Sequence, residues 1–210
     1  MAMWQSKGIA ENFRNPIIAT YSKKKFLKDW IKPSTIKNID FCQGRFLLAG
    51  ISSRKEIHVR YPVIYNLPLE SLAELHEGDV LYLDSTGIVR RIWNIESTQN
   101  VLFVTERCNS HCIMCPQPQL PIEHDEEALK LLDCIPKNEL KEVCITGGEP
   151  TTCKKICNIF RKLQKFPYIQ PIMLTNGRKF SELQFTKNIV DVAPYNMIYA
   201  IPIYSSVPYI

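Results

Sequence analysis

The sequence predicts an α/β protein: a parallel sheet, layered or barrel-like, behind a small, mostly β N-terminal domain. Three observations carry that prediction. From residue 101 onward, short apolar runs alternate with segments of helical periodicity, and regular β-then-α alternation calls for parallel strands joined by helical crossovers. Several of those runs stop at glycine or Asn-Gly, the residues that punctuate strand ends. Over residues 1–100 the apolar runs are instead short and separated by turns. The expected division is therefore 1–100 and 101–210.

Taken in order, "RFLLAGI", "EIHVRYPVIY" and "DVLYL" are β-prone. "LPLESLAELHEGD" reads as a short helix ended by Gly78. "GDVLYLDSTGIVRRIW" reads as a hairpin turning at Asp84-Ser85-Thr86-Gly87. Beyond residue 100, "VLFVT" is a buried-type strand followed by a cysteine-bearing loop. "HDEEALKLLDCI" has helical spacing, with acids in its first turn where the helix dipole favours them. "EVCITGG" is a strand ending in a glycine pair. "TTCKKICNIFRKLQKF" then reads as a helix with Thr151 or Thr152 as N-cap. "QPIMLTNG" is a third strand, "SELQFTKNIV" a helix, and "NMIYAIPIYS" a fourth strand. Parallel sheets gather functional residues at the carboxyl ends of their strands. The cysteine loop, Gly147-Gly148-Glu149-Pro150 and Asn176-Gly177 all fall at that edge.

Composition narrows the classes. The chain has 210 residues and a net charge of +5, a mild excess rather than the concentrated basic face of a nucleic-acid binder. The densest basic run, "SKKKFLK", reads as a solvated surface segment. The N-terminus lacks the continuous apolar core of a signal peptide, and no apolar run approaches the roughly 18 residues of a membrane span. The expectation is a cytoplasmic protein without a membrane partner. Thiols are kept reduced there, so the eight cysteines read as free or metal-binding rather than as a disulfide framework.

Cys108, Cys112 and Cys115 have the spacing CxxxCxxC. On a helix, offsets of four and seven would set all three on one face as ordinary core residues. Pro116, Pro118 and Pro121 follow too closely for a long helix. Structural zinc takes four ligands, and Cys134 or His111 would have to complete the set. Three thiols without a fourth suit a [4Fe–4S] cluster with one iron left open, since such clusters ordinarily take four cysteines. An open coordination position favours catalysis over structure.

The second element is "CITGGEPTT". Glycines at a strand end let the backbone approach a ligand closely. Glu149 adds a carboxylate suited to an ammonium group, and Pro150 fixes the turn into the next helix. Cys153 and Cys157 form a second CxxxC that reads as helix packing, while Cys134 and Cys144 read as core and Cys42 has no partner pattern. His111 reads as a loop residue beside the cysteines and His124 as an exposed helix start; His58 and His76 stand out in no pattern. Glu106 and Arg107 flank the cysteine loop and read as surface charges or as tuning charges.

CxxxCxxC on the loop after a first strand, followed one β/α unit later by Gly-Gly-Glu-Pro, resembles the radical S-adenosylmethionine (SAM) superfamily. The stretches "VLFVTERCNSHCIMCPQPQ", "TNG", "IPIYS" and "GDVLYLDSTGIVRRIWN" together resemble the C-type radical SAM maturase of the His-Xaa-Ser peptide-modification system. The resemblance covers roughly residues 78–206. It implies an incomplete parallel (β/α) partial TIM barrel. It also implies that Cys108, Cys112 and Cys115 ligate three irons of a [4Fe–4S] cluster whose fourth iron chelates SAM. The backbone of Gly147, Gly148 and Glu149 would hold the methionine amino group, with Pro150 closing the motif. Met114 would lie beside the adenine, a position usually aromatic, and Thr175 and Asn176 near the ribose or methionine. "IPIYS" stands where relatives carry a Ser-Leu-Asp-like sequence.

The chemistry so implied is reductive cleavage of SAM, driven by a low-potential electron donor, to a radical that abstracts a substrate hydrogen. The implied role is that of a peptide maturase acting on a peptide rich in His-Xaa-Ser units. A truncated, non-catalytic remnant or binding module, or a radical SAM enzyme acting on RNA or a small molecule, are the alternatives. The superfamily core has six β/α units, and about four strands precede "SSVPYI". A C-terminally truncated chain with an uncovered sheet edge is therefore expected.

Overall fold

The computed structural model describes residues 4–23, 35–39, 48–135 and 141–203. The basic run from Lys24 onward, Cys42, the first half of "RFLLAGI" and the "SSVPYI" end lie outside these described residues. The chain divides into two units, Met1–Ser97 with Asp133–Pro136, and Thr98–Leu132 with Lys137–Ile210.

The N-terminal unit is an eight-stranded sheet. Its strands are β1 (Gln5–Lys7), β2 (Ile9–Glu11), β3 (Ile17–Ser22), β4 (Thr35–Asn38), β5 (Ala49–Ile51), β6 (Val63–Tyr65), β7 (Val80–Leu83) and β8 (Ile88–Trp93). They are ordered β1-β8-β7-β3-β4-β5-β6-β2. The two outermost strands, β1 and β2, flank Gly8 in the chain, so one bent stretch supplies both ends of the sheet. Gly8 donates its N–H to the Gly87 carbonyl at 2.9 Å. Tyr21, Ile36, Ile51, Ile64, Leu81 and Leu83 are among the side chains of its apolar core.

The expected hairpin is β7–β8, antiparallel, with Gly87 at φ +84° in the left-handed region its turn requires. The Asp84 carboxylate accepts from the Thr86 N–H and hydroxyl at 2.8 and 2.6 Å. The expected helix is shorter than its pattern: α1 covers only Leu69–Ala73, and Gly78 lies in the following turn. Fully buried Asp79 explains the early stop. Its carboxylate takes the His76 N–H at 2.8 Å and the Ile95 N–H at 2.9 Å, so His76 does not continue the helical ladder. "EIHVRYPVIY" forms a strand only at Val63–Tyr65, after Pro62.

The C-terminal unit is the α/β part. Its elements are β9 (Gln99–Phe103), α2 (Asp125–Cys134, as far as Leu132), β10 (Lys141–Thr146), α3 (Ile156–Leu163), β11 (Ile169–Leu174), α4 (Leu183–Val190) and β12 (Ile198–Ala200). The four strands are all parallel and ordered β12-β11-β10-β9. This is the expected α/β arrangement. Leu102, Val143, Ile145 and Met173 are buried on the sheet. α3 buries Ile156, Ile159, Phe160 and Leu163, the 0, 3, 4, 7 spacing of one helix face. Pro171 is accommodated in an inner strand because β12 pairs with β11 only from Ile172 onward. No helix among the described residues is long and apolar enough to cross a membrane.

One boundary differs from the sequence reading. Neither Thr151 nor Thr152 caps a long helix. Pro150–Thr152 is a separate 3-10 turn whose cap is Glu149, and α3 starts only at Ile156. The cause is the Glu149 carboxylate, which takes both the N–H and the hydroxyl of Thr151 and tightens the chain into that turn.

Candidate functional site

β9 leads into a long loop whose base is fixed by backbone pairing. Glu106 N–H donates to the Ile122 carbonyl at 2.9 Å and His124 N–H to the Val104 carbonyl at 3.0 Å, around an isolated bridge between Thr105 and Glu123. The cysteines occupy the excursion between these two segments. It is not helical, so the one-face packing alternative does not hold. A turn at Ile113–Met114 brings the Cys115 N–H to the Cys112 carbonyl at 3.0 Å. Cys108 is half-buried, and Cys112 and Cys115 are exposed.

The end of β10 lies against this loop. A Cβ on Gly147 would collide with the Thr105 carbonyl, and one on Gly148 would sit 2.7 Å from the Glu106 carbonyl oxygen, closer still to that of Arg107. Gly148 N–H donates to the Thr105 carbonyl at 2.8 Å and Glu149 N–H to the Arg107 carbonyl at 2.7 Å. The glycine pair is therefore needed for backbone-to-backbone contact with the chain entering Cys108. The sequence reading assigned that freedom to ligand approach; here it fastens the loop.

Glu149 also differs from its reading as an acid for an ammonium group. The residue is 1% exposed. Oε1 accepts from the Thr151 N–H (3.1 Å), the Thr151 hydroxyl (2.6 Å) and the Thr175 hydroxyl (2.6 Å), and Oε2 from the Asn176 N–H (2.7 Å). The carboxylate ties the end of β10 to the end of β11, leaving backbone rather than side chain to face a ligand. Asn176 is likewise engaged within the protein, since its side-chain amide donates to Asn109 Oδ1 at 2.8 Å and Ser110 Oγ at 3.1 Å.

These segments enclose one cavity of about 610 Å³ at the carboxyl edge of the sheet. Cys108, Cys112, Cys115 and Met114 line one side; Gly147, Gly148, Glu149, Thr175 and Asn176 line another. Pro150 is buried. The sequence reading left Leu174, Ala200, Ile201 and Pro202 out of the site, yet they also line the cavity. Of these, only Ile201 and Pro202 fall in the stretch "IPIYS".

Three thiols on one loop are the donor type that iron–sulfur clusters take. Among the described residues, the metal-ligating atoms that fall within 4.8 Å of one another belong to Glu123, Asp125 and Cys153, not to the loop cysteines. A tetrahedral zinc with Zn–S near 2.3 Å needs sulfurs about 3.8 Å apart. Cys153 is buried beside Glu123 and Asp125, and burial, reinforced by those carboxylates, pushes its thiol up to about 12. Cys157 lies apart, within α3. Cys134 and Cys144 are half-buried rather than core, and burial raises the Cys144 thiol. His124 is not a free helix start: Nε2 meets Glu106 Oε1 at 2.9 Å and its ring packs edge-on against Phe103. Arg107 pairs with Glu123 at 3.1 Å, and His111 is exposed.

No family model matches the chain, and no solved structure matches it. Curated relatives do. The chain is 37% identical over 82 residues to a GTP 3′,8-cyclase of Petrotoga mobilis, covering 35% of this chain and 25% of that protein. It is 38% identical over 88 residues to the GTP 3′,8-cyclase of Desulforamulus reducens, covering 38% and 27%. It is 31% identical over 88 residues to molybdenum cofactor biosynthesis protein 1 of Drosophila melanogaster, covering 38% and 16%. This similarity supports the radical SAM superfamily. The matched GTP 3′,8-cyclases are enzymes that use a [4Fe–4S] cluster and SAM. The chain spans about a quarter of the length of the two bacterial relatives. Their names carry GTP, a small molecule, and lend no support to a His-Xaa-Ser peptide or to a peptide maturase.

Proposed function

We propose that the C-terminal unit is the cofactor-binding portion of a radical SAM enzyme, built as the first strands of a partial (β/α) barrel. The observation that carries this reading is the shared cavity, with three thiols on one wall and the Gly147–Glu149 backbone on the other. Cys108, Cys112 and Cys115 would hold the [4Fe–4S] cluster, and the Gly147–Glu149 backbone would receive the amino group of SAM. Met114 would offer a polarizable thioether to the adenine. Bound together, the two cofactors supply one-electron cleavage of SAM and hydrogen abstraction from a substrate. The chain's own part is to hold the cysteine loop against the sheet edge and to shield the cavity with Leu174, Ala200, Ile201 and Pro202.

For the substrate, a small molecule is the better-supported class, because the matched relatives are named for GTP. Anaerobic reconstitution with iron and sulfide should load roughly four irons per chain and give a brown protein; Cys112→Ala should lose both. Dithionite and SAM should then release 5′-deoxyadenosine, and GTP or a His-Xaa-Ser peptide added in parallel identifies which class raises that release. A colourless, zinc-loaded protein rejects the reading. A full cluster without 5′-deoxyadenosine assigns a binding module instead.

A further inference from the structure

The segment between the first two cysteines is held by the turn after β11. Asn176 donates both hydrogens of its amide there, to Asn109 Oδ1 and Ser110 Oγ. Arg178 adds a charged donor to the same segment: its guanidinium reaches the Asn109 carbonyl at 3.0 Å and Ser110 Oγ at 3.1 Å. The turn is shaped for this. Gly177 takes φ +74°, Arg178 N–H closes onto Asn176 Oδ1 at 3.0 Å, and Gly177 N–H closes onto Thr175 Oγ1 at 3.1 Å. Thr175 is in turn bound by Glu149. Gln119 holds Ser110 from the far arm of the loop through its carbonyl.

We propose that Asn176 and Arg178 are positioning residues for the three-cysteine site: the Asn176 amide and Nη1 of Arg178 fix the Cys108–Cys112 segment, and the Arg178 charge raises the reduction potential of the cluster held there. Arg178 is exposed, yet its guanidinium is tethered one and two residues from Cys108. A fixed positive charge near a cluster stabilises the more negative, reduced form. Lysine keeps the charge, and Asn176→Ala removes part of the grip without changing any charge, so the two contributions separate by substitution. This deepens the radical SAM reading and rests on it for the potential; the grip on the segment stands without a cluster.

The experiment uses the full chain with Arg178→Ala, Arg178→Lys and Asn176→Ala. In the cluster-free protein, amide exchange at Cys115, whose N–H is held by the Cys112 carbonyl, should rise at least about tenfold in Arg178→Ala and Asn176→Ala, since each loses hydrogen bonds to the segment. After anaerobic reconstitution, redox titration followed by EPR should give Arg178→Ala a lower potential than wild type, and Arg178→Lys a potential near wild type. Unchanged exchange in Arg178→Ala and Asn176→Ala overturns the grip. An Arg178→Ala cluster with the wild-type potential, or an Arg178→Lys cluster with the alanine variant's potential, overturns the charge assignment. A wild-type chain that loads no iron instead counts against the radical SAM reading and, with it, the potential; the exchange arm still decides the grip.

Discussion

Replacing Glu149 with glutamine is the most direct test of how the site is built. In the wild-type chain Oε1 accepts three hydrogen bonds and Oε2 one, all from donors on the β10 and β11 ends. An amide has only one acceptor oxygen. Placed at the Oε1 position, it keeps the three bonds in weaker, neutral form and turns its NH2 group against the Asn176 N–H. Flipped, it faces the three other donors with hydrogens, so the first arrangement wins. One charge-assisted bond is then lost, at about 1.5–3 kcal/mol, and three more are weakened. The sum is about 3–5 kcal/mol for a site 1% exposed, where water does not compensate. Since each 1.4 kcal/mol is tenfold, hydrogen exchange at Thr151 and Asn176 should quicken by at least about a hundredfold. The two amides should change together, because they donate to one carboxylate. Wild-type protection at both positions in Glu149→Gln would refute the tie between the strand ends.

Gly148→Ala should destabilise the C-terminal unit by roughly 1–3 kcal/mol or displace the cysteine loop, because the new methyl meets the Glu106 and Arg107 carbonyls. A denaturation midpoint and iron uptake equal to wild type would count against that contact. Cys153 keeps its proton up to about 12 in the fold against an ordinary 9.0, so its contribution to stability is complete below about pH 9 and declines as pH rises towards 12. Alkylation of the cluster-free chain at pH 9 should therefore modify exposed Cys112 and Cys115 at least about a hundredfold faster than Cys153; a Cys153 rate that levels off near pH 9 contradicts this. In the other unit, Asp79→Ala should cost about 3 kcal/mol, since a fully buried carboxylate holds the His76 and Ile95 amides. An unchanged urea midpoint would argue against it.

The alternation of apolar runs and helical periods was enough to read the parallel sheet, because each strand and crossover carries its own local period. "HDEEALKLLDCI" and "SELQFTKNIV" form α2 and α4 within a few residues of their patterns. Boundaries set by side-chain acceptors were not legible. Asp79 and Glu149 each capture backbone N–H groups from segments that local pattern alone would run into helix. Their burial depends on strands far away in the chain. The same holds for the site: the cysteines, the glycine pair and Asn176 were found from spacing and turn chemistry. Apart from Thr151, the partners of the Glu149 carboxylate lie 26 and 27 residues distant and those of the Asn176 amide 66 and 67, and no local signal reports them. Ile201 and Pro202 were missed because an apolar strand end looks the same whether it lines a cavity or a core.

These contacts give the Gly-Gly-Glu-Pro turn a mechanical part in the site that precedes any ligand. The three thiols sit on a loop without regular structure, and such a loop alone would pay the full ordering entropy when a cluster bound. Here the loop entrance is already fixed. Thr105 and Arg107 carbonyls are hydrogen-bonded by Gly148 and Glu149, and the Arg107 carbonyl also accepts from Thr152 Oγ1 at 3.1 Å. Glu149 passes the restraint to Asn176, whose amide returns it to Asn109 and Ser110 beside Cys108. The path closes on the loop where it began. On the proposed reading Cys108, held at both sides, would be the preorganised ligand, while Cys112 and Cys115, which are exposed, would adjust to the cluster. Exchange measured before and after cluster loading should therefore change little at Arg107–Cys108 and strongly at Cys112–Cys115; equal changes along the whole loop would mean that the restraint does not reach the first thiol.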